Sequence, residues 1–146
     1  MENYIKEIVP SYIGRAKRGF KIKDAGDCIH LLKSLIKNRD QEHFIAIYLN
    51  GAHEVLTYSI VTIGLLNSTQ VHPREVFRPA FICAAASVIV AHNHPSDNLS
   101  PSKEDIRVTE SLGSAAKILG INLLDHIIFT AEGNYISLKE KNLGGF

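Results

Sequence analysis

Residues 87–105 read SVIVAHNHPSDNLSPSKED. Ser87 to Ala91 is a short apolar run that predicts a buried strand. It delivers His92 and, two residues on, His94. Side chains alternate along extended backbone, so both imidazoles can point the same way. Pro95 disfavours helical backbone at His94 and supports that extended exit. Ser102 then opens a helix that runs to about Leu119 and stops at Gly120, a residue suited to a helix C-terminus. Asp105 stands three residues after Ser102, the offset at which a capping hydroxyl and a first-turn side chain share one helix end. Two His and one carboxylate with an open position make up a catalytic zinc site rather than a closed structural one. With an unperturbed pKa near 6.5, imidazole is available in its neutral, ligating form at cellular pH.

Upstream, Cys28, Leu31, Leu32, Leu35 and Ile36 recur at helical spacing, with Asp24 or Asp27 as the cap and Asn38-Arg39-Asp40 as the stop. Phe44 to Leu49 reads as a strand, turned by Asn50-Gly51 into a second strand through Val55 and Tyr58. Residues 60–71 continue as strand or loop, broken at Gly64. Pro73 and Glu75 suit a helix start, with a small-residue helix over Val76 to Ala86. Downstream of the third helix, Ile121 to Phe129 and Tyr135 to Leu138 read as strands around Glu132-Gly133-Asn134. Helices and strands in this order imply a mixed sheet flanked by helices, a three-layer α/β sandwich.

The spacing His-x-His, seven residues, Ser-x-x-Asp resembles the signature of the JAMM/MPN+ metalloprotease domain. The text around it is similar to the bacterial RadC branch: His92-Asn93-His94-Pro95-Ser96, Pro101-Ser102, Glu104-Asp105, Val71 to Phe77, and Leu124-Asp125-His126-Ile127-Ile128. The resemblance runs from about Asp24 to the C-terminus and implies the JAMM/MPN, cytidine-deaminase-like architecture. It departs at Asp97, where RadC relatives usually carry Gly. By this resemblance His92, His94 and Asp105 hold Zn²⁺, Ser102 donates toward a developing oxyanion, and an upstream glutamate is the general base. Glu42, at the mouth of the Phe44–Leu49 strand, is the choice for that base, with Glu75 as its rival. The implied reaction is hydrolysis of a peptide or isopeptide bond in a protein or peptide substrate. The alternative is a DNA-repair-associated protein whose metal site is structural or acts on nucleic acid. Ser102 also reads as a helix N-cap. Asp125 with His126 reads as a pair supporting the metal ligands from behind or as a structural hydrogen-bonded pair, the structural reading being preferred because the three-ligand set is already complete. His30, His43, His53 and His72 lack partners at ligand spacing, and Arg74 suits either a substrate carboxylate or a surface position.

The chain has 146 residues, enough for one domain with a sizeable core. Residues 1–23 read as an irregular or extended arm and residues 24–146 as the metal-hydrolase domain. The net charge of +1 offers no global attraction to nucleic acid. Lys6, Arg15, Lys17, Arg18, Lys21 and Lys23 form a local basic cluster, for which a solvated face is expected and only weak DNA contact. RadC relatives usually carry a helix-hairpin-helix region before the metal domain, and the segment before Asp24 is too short for one. Cys28 and Cys83 are expected to be buried free thiols. No apolar run is long enough to span a bilayer and no signal peptide is read, so a cytoplasmic chain is expected, with a homo-oligomer allowed.

Overall fold

In the computed structural model, residues 20–36, 38, 40–64 and 71–146 are described. Most of the expected N-terminal arm, residues 1–19, lies outside them. Asp24 accepts the backbone N–H of Asp27 at 3.0 Å and caps α1 (Ala25–Leu35), so of the two candidate caps Asp24 is the one used. Strand β1 (His43–Leu49) is buried along its whole length, and β2 (Val55–Ile63) returns antiparallel beside it. The turn between them is wider than a two-residue hairpin. Asn50 Oδ1 accepts the N–H groups of Ala52 and Glu54, and the positive φ falls at His53 rather than at Gly51. β2 runs without interruption to Ile63 and stops at Gly64, whose φ is 117°. Residues 65–70 of the expected strand or loop lie outside the described residues.

Helix α2 (Pro73–Ile82) begins at the expected Pro73 but ends four residues before Ala86. The sheet supplies the reason. Ala86 donates its N–H to the Leu49 carbonyl at 2.9 Å, and Ala84 turns the chain at a φ of 53°, so helix-favouring alanines are taken by a strand approach. Strand β3 (Ser87–Asn93) follows, then α3 (Lys103–Leu119), β4 (Asn122–Phe129) and β5 (Tyr135–Ser137). Gly120 closes α3 in the left-handed region at φ 70°, where a Cβ would be strained.

The five strands order as β2-β1-β3-β4-β5, with β3 and β4 parallel and the other pairs antiparallel. A parallel pair needs a crossover, and α3 is that crossover. Alternation along the strands sorts the core into two faces. Phe44, Tyr48, Val88 and Val90 meet α2 and α3, while Ile45, Ile47, Ile89 and Ile127 meet α1. The result is the three-layer α/β/α sandwich expected from the element order. Cys28 is buried in the α1 layer and Cys83, half-buried, packs against the other; both are free thiols. No helix among the described residues is long and apolar enough to cross a membrane.

Candidate metal centre

Register brings the site together. Phe44 of β1 pairs with His92 of β3, and continuing that antiparallel register sets Glu42 opposite His94. All four positions then share one face, the face that carries α3. Asp105 arrives from the first turn of α3, buried and two per cent exposed.

His92 Nε2 and His94 Nε2 lie 2.9 Å apart. Asp105 Oδ1 is 3.2 Å from the first of these nitrogens, and Asp105 Oδ2 is 3.6 Å from the second. Glu42 Oε1 stands 3.8 Å from His94 Nε2. The ligand atoms of Glu42, His92 and His94 fall within 4.8 Å of one another and form a group able to hold a metal ion. Asp105 approaches both rings more closely than Glu42 approaches His94, so two carboxylates border the imidazole pair.

The donor chemistry fits a cation. His94 Nδ1 faces the carbonyl oxygen of Asn98, which can only accept, so Nδ1 carries the hydrogen and a neutral ring keeps a bare lone pair at Nε2. Ligand atoms about 2.0–2.2 Å from a tetrahedral ion lie roughly 3.3 Å from each other. The 2.9 Å between the two nitrogens and the 3.2 Å from His92 Nε2 to Asp105 Oδ1 lie near that value. Electrostatics lean the same way. The adjacent Asp105 carboxylate raises the His94 pKa against the opposing effect of burial. Burial pushes the Asp105 carboxyl up, yet the two imidazoles outweigh it and hold that group well below the usual carboxylate range. Such a cluster of lone pairs and negative charge is stabilised by a positive ion.

Ser102 and Asp105 form a capping box: Ser102 Oγ accepts the Asp105 N–H at 3.0 Å, and the Ser102 N–H donates to Asp105 Oδ2 at 2.7 Å. The box orients the carboxylate and leaves the exposed Ser102 hydroxyl with its own hydrogen to donate. Glu75 is not brought to this cluster. Its carboxylate meets Arg74 at 3.3 Å and Arg78 at 2.9 Å on the surface of α2, and Arg74 is accordingly a surface residue. His72 caps α2 through Nδ1.

Asp125 and His126 are hydrogen-bonded through the His126 backbone and not through its ring. Asp125 accepts the backbone N–H of His126, the Ser137 hydroxyl and the Lys139 N–H, and burial still raises its pKa. The His126 imidazole instead points into the site, 2.8 Å from His92 Nδ1, with Thr109 Oγ1 2.6 Å from its other nitrogen. Asn93 is a residue that sequence reasoning missed. Its Oδ1 accepts the His43 N–H at 2.8 Å and its Nδ2 donates to the Gln41 carbonyl at 2.9 Å, clamping the backbone on both sides of Glu42. Thr109 had a signal, since it follows Asp105 by one helical turn on the same face. His126 stands in the family-like Leu124–Ile128 text, but what its ring meets comes from strand pairing across a crossover.

Comparison with known proteins finds one family model, the RadC-like JAB domain, matching residues 22–143. A UPF0758 protein of Bacillus cereus is 46% identical over 122 residues, covering 84% of this chain and 54% of that protein. UPF0758 proteins of Methanococcoides burtonii and Methanosarcina mazei are 46% and 44% identical over 121 and 131 residues, covering 83% and 90% of this chain and 52% and 56% of their own lengths. The chain thus spans about half the length of the curated relatives it matches.

Proposed function

The chain belongs to the RadC-like JAB domain family, and from that premise we propose that it is a zinc-dependent hydrolase cleaving a peptide or isopeptide amide bond in a protein or peptide substrate. The observation that carries this reading is the convergence of two imidazole Nε2 atoms and the Asp105 carboxylate, with Glu42 across from His94. His92, His94 and Asp105 would hold the ion, and two nitrogens with one oxygen favour zinc in an open, catalytic geometry. Bound there, zinc supplies a Lewis acid that acidifies water and polarises a carbonyl.

The remaining chemistry belongs to side chains. Glu42 lies within reach of the imidazole pair without approaching as closely as Asp105, the position of a base that takes a proton from the attacking water at a carboxylate oxygen. The same carboxyl then returns that proton to the departing amine nitrogen as the C–N bond breaks. Ser102 donates its hydroxyl hydrogen toward the oxyanion that develops on the scissile carbonyl. Asn93 keeps Glu42 in register, and the Asn98 carbonyl keeps the His94 ring oriented.

Metal analysis of the purified chain, together with turnover of peptide and isopeptide substrates, tests the proposal. Near-stoichiometric zinc is expected in the native chain, and its loss in a His92→Ala/His94→Ala double variant. Glu42→Gln should retain the metal and lose about 10²–10⁴-fold in turnover, whereas Glu75→Gln should lose little. Native zinc content in the double variant would sink the ligand assignment, and an inert Glu75→Gln beside a fully active Glu42→Gln would remove Glu42 as the base.

A further inference from the structure

Behind His92 runs a buried chain of polar groups that the hydrolytic steps do not use. His126 stands on β4 beside Val90 of β3, and its ring is fully buried. His92 Nδ1 is 2.8 Å from His126 Nε2, and His126 Nδ1 is 2.6 Å from Thr109 Oγ1. The Thr109 hydroxyl donates to the Asp105 carbonyl at 2.6 Å.

The position of every hydrogen along this chain follows from its last member. A carbonyl only accepts, so the single Thr109 hydrogen is directed at Asp105. Toward His126 the Thr109 oxygen can therefore only accept, and His126 Nδ1 must carry a hydrogen. In a neutral ring, His126 Nε2 is then a lone pair that accepts from His92 Nδ1–H. His92 Nε2 is left bare, aimed at His94 Nε2 and Asp105 Oδ1. Phe44 holds the two rings from the side, stacked on His92 and edge-on to His126.

We infer that Thr109 and His126 are positioning residues that lock His92 in its Nδ1–H tautomer and so pre-form the metal site. The inference rests on the zinc-hydrolase reading for what the lone pair receives, though not for the order of the hydrogens. Asp105 closes the circuit at both ends. Its carboxylate is 3.2 Å from His92 Nε2, and its carbonyl anchors the relay through Thr109. One helical turn of α3 therefore sets a ligand oxygen and the tautomer of a ligand nitrogen together. Gly144 completes the enclosure: at φ 69°, a Cβ there would lie 2.5 Å from Thr109 Cγ2, so only glycine lets the C-terminal segment close over Thr109.

The test compares Thr109→Val, which keeps the shape and removes the hydroxyl, with Thr109→Ser, which restores it. Two readouts are taken on the full chain: zinc affinity by competition with a chromogenic chelator, and the His92 tautomer by ¹⁵N NMR of the chelator-treated protein. In Thr109→Val the His126 hydrogen loses its acceptor, so it moves to Nε2 and drives the His92 hydrogen onto its own Nε2. Zinc affinity should then fall about 10–100-fold, the usual effect of removing a group that orients a ligand. Thr109→Ser should keep the native tautomer and lie within a few-fold of native affinity. A merely structural Thr109 would lower the melting temperature of Thr109→Val without moving the His92 hydrogen. Native His92 carrying its hydrogen on Nε2, or Thr109→Val with an unmoved hydrogen and native zinc affinity, overturns the inference. If the native chain takes up no zinc, the hydrolase reading fails alone, and the tautomer comparison still decides the relay.

Discussion

Asp97 stands where the family resemblance leads one to expect glycine, and its backbone conformation is one that suits glycine. Its φ is 59°, in the left-handed region, and its N–H donates to the His94 carbonyl to close a tight turn. Aspartate tolerates that region better than most side chains, and a β-branched one tolerates it poorly. The turn also presents the Asn98 carbonyl to His94 Nδ1, so backbone strain here reaches the orientation of an imidazole. Asp97→Val should lose about 1–2 kcal/mol of stability and weaken metal uptake. Asp97→Gly should shift stability by less than about 1 kcal/mol, because relief of strain is offset by the freer unfolded chain. Chemical denaturation of both variants checks this, and equal stability of the two would remove strain as the reason for the turn's composition.

Elements matter here mainly at their ends. β1 loses its ladder to β3 beyond Phe44, and the Asn93 side chain takes over by holding the Gln41 carbonyl and the His43 N–H. The Gly64 N–H adds a hold on the Glu42 carbonyl at 2.8 Å. A carboxylate at a fraying strand end would sample many positions, and these three contacts confine it. Asn93→Ala leaves the buried His43 N–H without its acceptor, while the Gln41 carbonyl keeps the His43 ring as a partner, a loss of about 1–3 kcal/mol. Its zinc content should remain native, while turnover falls because Glu42 is no longer held in register. Native turnover in a folded Asn93→Ala chain would mean that the clamp serves stability alone. At the other end of the site, the capping box ties Asp105 to Ser102. Ser102→Ala should therefore lower stability by about 1 kcal/mol as well as activity, and Ser102→Gly, milder as a cap, should separate the two effects.

At the scale of the molecule, each of the two core faces buries a weak acid whose pKa is pushed far up. Burial pushes the Cys28 thiol in the α1 layer from 9.0 to about 12. Burial likewise pushes the Tyr48 hydroxyl on the opposite face from 10.0 to about 12, against a smaller lowering by Ser59. Tyr48 also ties the layers together by donating to the Val76 carbonyl of α2 at 2.7 Å. Both groups are raised in the folded state, so their stabilisation is complete below the unfolded pKa values and is lost as pH rises toward 12. The unfolded chain releases these protons first, which favours unfolding by about 1.4 kcal/mol per pH unit for each group. Stability of the chelator-treated protein should fall above about pH 9 and more steeply above about pH 10. Cys28→Ala should flatten the first limb and Tyr48→Phe the second. Unchanged slopes in both variants would locate alkaline unfolding elsewhere.

The strand that delivers His92, the helix that opens at Ser102, the stop at Gly120 and the three-layer order were all legible in the sequence, because periodicity, capping and chain order are local signals. So were His92, His94 and Asp105, whose spacing lies within one strand–loop–helix unit. Tertiary structure decided what depended on pairing between distant segments. It set Glu42 rather than Glu75 beside the imidazoles, since only the β1–β3 register brings position 42 opposite 94. It ended α2 early, since the Leu49 carbonyl recruits Ala86. It turned the His126 ring toward His92 and Thr109, because the parallel β3–β4 pairing aligns His126 with Val90 under α3. A residue's spacing along the chain reports which neighbours share its helix or strand. Only the sheet register, set by burying two apolar faces at once, reports what lies across from it.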